Sequence, residues 1–124
     1  MTAFKFSKGV VFMAKYEAEL RGNYGQILNN IESTVLNRSA SASLEDASDF
    51  VSGDTRCAVR VYERYSYAGQ NRVSMSVTLL EAGGRLFVSA ITSGGSQAVL
   101  FKINTIGEES FLNTLTDVLE QYRV

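Results

Sequence analysis

The spacing of apolar and polar positions changes several times along this chain, and each change marks an element. From Met13 to Arg21 the two kinds alternate strictly, with Ala14, Tyr16, Ala18 and Leu20 against Lys15, Glu17, Glu19 and Arg21. That is the pattern of a half-buried strand. Gly22 ends it, and Asn23 follows as a helix N-cap, with Gln26 at the capping-box position. Tyr24, Ile27, Leu28, Ile31 and Val35 then recur at helical spacing, and Asn37 suits the residue just past the helix end. Ser39 to Glu45 alternates again, and a polar, acidic connection from Asp46 to Thr55 follows, containing Asp49, Gly53 and Asp54.

Four more strands are predicted at Arg56 to Tyr67, Val73 to Glu81, Arg85 to Thr92 and Ala98 to Ile103, joined by short glycine-bearing linkers. Thr105 caps a final helix, with Glu108 as its capping-box partner and Phe111, Leu112, Leu115, Val118, Leu119 and Tyr122 as the buried stripe. The order is strand, helix, strand, four-strand meander, helix. It predicts an α+β domain over residues 13–124, with a six-stranded, mainly antiparallel sheet and both helices on one face. Residues 1–12 lack a clear period; they read as an extension, an extra strand or a leader to a true start at Met13.

Register follows from opposing apolar positions, because a one-residue slip turns every side chain to the other face. Two-residue turns at Gly83-Gly84 and Gly94-Gly95 pair Leu79 with Val88, Val77 with Ala90, Val88 with Phe101 and Ala90 with Val99. Between the first two meander strands an odd-length loop sets Val61 against Leu79, Tyr65 against Met75 and Tyr67 against Val73.

Two features of this register suggest function. Glu63 falls on the core face between Val61 and Tyr65. A carboxylate there is either a structural group that finds a partner or an anchor for a ligand. On the opposite face, Leu80 stands beside Phe87 and Ile91 beside Ala98, with Leu100 near by. Such a patch marks a contact surface unless a helix or residues 1–12 cover it. The same face would carry Arg56, Arg60 and Arg64, neighbours standing roughly 13 Å apart along the strand, with Tyr62 between. Arginine interleaved with tyrosine grips phosphate or stacks on bases, or is simply a solvated strand face. Ser93, Gly94, Gly95 and Ser96 could cradle an anion with backbone amides, or form only a hairpin turn. Cys57 reads as a core thiol.

Composition narrows the chemistry. There are no histidines, which excludes histidine acid–base catalysis, histidine-based triads and the usual zinc sites. The single cysteine excludes an intramolecular disulfide, and a net charge of −1 gives no field to gather nucleic acid or an anionic membrane. No metal or cofactor is expected. No stretch approaches the roughly 20 apolar residues of a membrane span, and the run from Gly9 to Ala14 is too short for a signal-peptide core, so cytoplasm is the expected location.

The stretches Ser39–Asp46, Val59–Tyr67, Asn71–Ser74, Ser89–Gln97 and Phe101–Glu109 resemble a family of short bacterial proteins known as a domain of unknown function. The resemblance implies a bacterial cytoplasmic protein and brings no activity or ligand. At fold level the order of elements looks like a helix-grip or TATA-binding-protein-like arrangement, which says little about function. The leading expectation is a non-catalytic interaction module, a homodimer through the outer sheet face. The alternative is a small-molecule pocket, enzymatic or not, between the final helix and the sheet around Glu63.

Overall fold

A computed structural model describes residues 13–39, 41–66, 71–94 and 101–124. The elements are β1 (Met13–Leu20), α1 (Tyr24–Arg38), β2 (Ser43–Ser52), β3 (Thr55–Ser66), β4 (Asn71–Ala82), β5 (Arg85–Gly94) and α2 (Phe101–Glu120). Five strands form one antiparallel sheet in the order β1-β5-β4-β3-β2.

β1 buries Ala14, Tyr16, Ala18 and Leu20, as its alternation predicts. The Asn23 side chain accepts a hydrogen bond from the Gln26 amide at 2.9 Å and caps α1. That helix runs past Asn37 and is capped by Ser39 in extended conformation. Tyr24, Ile27, Ile31 and Val35 on α1 join Phe111, Leu112, Leu115 and Leu119 on α2 in one core against one face of the sheet. The turn between β4 and β5 is Gly83-Gly84, with φ of 58° and 78°. Both values are positive, the requirement of a tight hairpin turn that glycine meets without strain. The expected pairs Leu79–Val88, Val77–Ala90 and Leu80–Phe87 are all present.

Three expectations are corrected. The sheet has five strands among the described residues, because residues 101–103, assigned to a sixth strand, lie inside α2. Residues 95–100, which include Gly95, Ser96, Ala98, Val99 and Leu100, lie outside the described residues, as do residues 1–12. The place beside β5 belongs to β1, so Val88 faces Ala18 on that side rather than Phe101. Short apolar runs do not by themselves separate strand from helix, and residues 101–103 show it.

The acidic stretch after Asp46 is strand, not loop. β2 continues through it to Ser52 with a bulge between Leu44 and Asp46. Finally, β3 is shifted against β4: Ala58, not Val61, faces Leu79, and Tyr62, not Tyr65, faces Met75. An odd shift reverses the faces. Ala58, Arg60 and Tyr62 are buried under the helices, while Val59, Val61, Glu63 and Tyr65 lie on the other side. The expected assignment followed hydrophobicity alone. The structure instead turns the arginines to the helix side and buries Arg60, because α1, β2 and β4 supply partners for Arg56 and Arg60 and an aromatic ring on α2 receives Arg64.

Candidate functional site

The site is the sheet face away from both helices. One row of direct cross-strand neighbours runs Phe50, Cys57, Leu80, Phe87 and Glu19 from β2 to β1. The next rows place Val59 beside Thr78 and Ser89, then Val61 beside Ser76 and Ile91. Phe50 is 63% exposed and Phe87 42% exposed. Cys57, Val59, Val61, Leu80 and Ile91 are half-buried. Alternation makes these apolar residues share a face, and no described element covers them.

Charges frame this patch, and three pairs of them are matched within it. Arg85 donates to both Glu19 carboxylate oxygens at 2.9 and 2.8 Å, and this holds the Glu19 carboxyl below the ordinary range. Lys15 lies 3.7 Å from Glu17, which also accepts from Ser89 at 3.0 Å. Arg72 and Ser74 donate to Glu63 at 2.8 and 3.4 Å. A hollow of about 200 Å³ lies at one end, lined by Glu19, Leu80, Ala82, Arg85, Leu86 and Phe87. An apolar centre with a polar rim of this kind is the anatomy of a protein interface.

The structure brings together Leu80, Phe87 and Ile91 as expected, and Leu100 lies outside the described residues. Cys57, expected in the core, is instead the second member of the apolar row. Glu63 also sits on this face, turned away from α2, so it cannot anchor a pocket between that helix and the sheet. Ser93 and Gly94 end β5 as ordinary ladder residues opposite Ser74 and Val73. Gly95 and Ser96 lie outside the described residues.

The arginine–tyrosine stripe falls on the covered face, not the open one. Arg60 donates to Glu32 on α1 at 2.7 Å and lies 3.1 Å from Asp49 on β2. Arg56 stacks over the Tyr24 ring at 4.3 Å and donates to Glu81 at 2.8 Å. The Arg64 guanidinium lies 4.7 Å over the Phe111 ring, and burial pulls its pKa down. Engaged in this way, the stripe knits the sheet to the helices. Tyr62 between them is fully buried, its hydroxyl has no hydrogen-bond partner, and burial pushes its pKa up. Among the described residues no cluster of His, Cys, Asp or Glu could hold a metal ion.

Sequence reasoning missed Phe50, 63% exposed on the open face, and its neighbour Val51, 65% exposed on the opposite face beside Arg56. Their signal was present. They stand two and three residues before the Gly53-Asp54 turn, facing the start of β3, as a hairpin requires.

A model described as "Family of unknown function (DUF6054)" matches residues 13–123. The chain belongs to this family. The resemblance drawn from its motifs is therefore correct, and membership brings no activity with it. No curated protein matches the chain. Among solved structures it is similar to "Protein of Unknown Function PA94 from Pseudomonas aeruginosa, Putative Regulator", with a TM-score of 0.52 and 8% identity over 82% of this chain and 69% of that one. At that identity the likeness is one of fold. No helix among the described residues is long and apolar enough to cross a membrane.

Proposed function

We propose that the chain is a non-catalytic interaction module that self-associates through the open face of its sheet. The observation that carries this reading is the row Phe50–Cys57–Leu80–Phe87, apolar on a face that neither helix covers. At standard strand spacing and rise the face measures roughly 20 by 30 Å, or about 600 Å² per copy. Two copies face to face would remove about 1,200 Å² from water, the lower bound for a stable interface. Three pairs on this face, Lys15–Glu17, Arg72–Glu63 and Arg85–Glu19, are already matched, so bringing two such faces together leaves these six charges compensated. The helix-grip or TATA-binding-protein-like likeness stays a comparison of arrangement and supplies no functional residue.

Sedimentation tests the reading. The wild type should be a dimer at tens of micromolar, and Phe87→Glu should give monomers with unchanged circular dichroism. A monomeric wild type, or a variant that unfolds instead of dissociating, would overturn it.

A further inference from the structure

The open face carries a projecting ring near one edge and a hollow near the other. Phe50 on β2 stands out further than Phe87, the other exposed phenylalanine of this face. The hollow of about 200 Å³ lies across β1, β5 and β4, with Glu19, Leu80, Ala82, Arg85 and Phe87 in its lining. A cavity of roughly 150 Å³ already takes up benzene. Arg85, held to Glu19 by two hydrogen bonds, offers its guanidinium to the face of an incoming ring. Within one chain the two features stay apart. Phe50 and Glu19 end the same cross-strand row, four strand spacings or about 19 Å from each other.

β4 is the middle one of the five strands, so Phe50 lies two strands to one side of it and Glu19 two strands to the other, at the same level along the strands. We propose that two copies pack face to face about a two-fold axis along β4, so that Phe50 of each fills the hollow beside Phe87 of the other. The proposal rests on the open-face dimer and names its axis and its anchor.

The same rotation matches the rest of the face. It leaves every cross-strand row at its own level and exchanges β2 with β1 and β3 with β5. Leu80 then meets Leu80 of the second copy, Cys57 meets Phe87, and Val61 meets Ile91. The row Asp46, Val61, Ser76, Ile91, Lys15 sets Asp46 against Lys15, and the row Ser48, Val59, Thr78, Ser89, Glu17 sets Ser48 against Glu17. Apolar residues thus oppose apolar ones, and each carboxylate of these two rows opposes a donor. Lys15 lies 3.7 Å from Glu17 in its own chain, and an ammonium with three N–H donors serves both carboxylates. An axis across the strands would instead lay β2 over β2 and β1 over β1. Phe50 would then stand over its own strand, which carries Asp46 and Ser48, and both hollows would stay unfilled, against the close packing of interface cores.

Sedimentation of three kinds of variant tests the axis. Phe50→Ala should raise the dimer dissociation constant roughly a hundredfold or more, because two buried rings are lost at once. Val51→Ala, on the opposite face of the same strand, should leave it unchanged. Lys15→Glu and Asp46→Lys, each alone, should raise it roughly tenfold, because two repulsive pairs replace two attractive ones. Mixed in equal amounts, these two should form heterodimers of near wild-type affinity, since each contact between positions 15 and 46 then joins opposite charges. Asp46 also accepts from the Ala47 amide at 2.8 Å, so circular dichroism accompanies each measurement. A wild-type dimer that Phe50→Ala leaves intact, or a mixture no tighter than its parts, would overturn this axis and leave the open-face reading standing, provided that Phe87→Glu still dissociates the dimer. A monomeric wild type would overturn both.

Discussion

The two faces of this sheet are built from the same kinds of residue used in opposite ways. The covered face buries Arg60 and half-buries Arg64 among leucines and aromatics, and ion pairs or ring stacking across to α1, α2 and β2 make that tolerable. The open face exposes Phe50 and Phe87 and holds its charges in pairs at the margin. Which face is inside was therefore decided by where the helices could supply partners, not by which side of β3 is more apolar. The side with Val59 and Val61 is the more apolar of the two, and it is the open one.

The largest effect should separate neighbours on opposite faces of β4. Leu79→Ala leaves a cavity in a fully buried position and should cost about 3 kcal/mol of unfolding free energy. Leu80→Ala should change the stability of the monomer by less than about 1 kcal/mol and weaken association instead. Urea unfolding with sedimentation of both variants checks this. Equal losses of stability would mean that Leu80 is packed within its own chain, and the contrast between the faces would fail.

A smaller pair of effects tests the polar groups under the helices. The Tyr62 hydroxyl is buried without a partner, so Tyr62→Phe should raise stability by about 1 kcal/mol. The Tyr16 hydroxyl donates to the Glu120 carboxylate, so Tyr16→Phe should lower it by about 1.5 kcal/mol. The signs should also appear in alkaline titration. Burial raises both phenols above their ordinary pKa, with the Glu120 hydrogen bond adding to it for Tyr16. Stability from such groups is complete below the ordinary tyrosine value of about 10. It declines as pH rises through the raised values, because the unfolded chain then ionises first. Tyr62→Phe should flatten part of that decline. A loss of stability in this variant at neutral pH would mean that the hydroxyl has a partner.

The smallest effect belongs to Glu63. Its pair with Arg72 is partly exposed, at 31% and 56% of the two side chains, and such pairs contribute little. Glu63→Gln should shift the unfolding free energy by less than about 0.5 kcal/mol. A loss several times larger would return Glu63 to a structural role.

Local chemistry wrote much of the fold legibly. The Asn23 cap, the alternation of β1, the stripe of α2 and the Gly83-Gly84 turn each depend on near neighbours in sequence, and each is where the pattern put it. From these followed the α+β class, the β4–β5 register and the placement of Leu80, Phe87 and Ile91 on one face. The rest depended on partners distant in the chain. Whether residues 101–103 continue the sheet or start a helix was settled by β1, which occupies the place beside β5. The face of β3 turned on Glu32, Asp49 and Phe111, residues that no local window joins to Arg60 or Arg64. β2 is a strand only because β3 offers it an edge, and its composition would otherwise suit a solvated loop. Sequence by itself determined which segments could be strand or helix, since propensity, period and turn chemistry act over a few residues. Tertiary structure alone decided which strands meet and which side faces out, because burying an arginine is tolerable only once its partners have been brought to it.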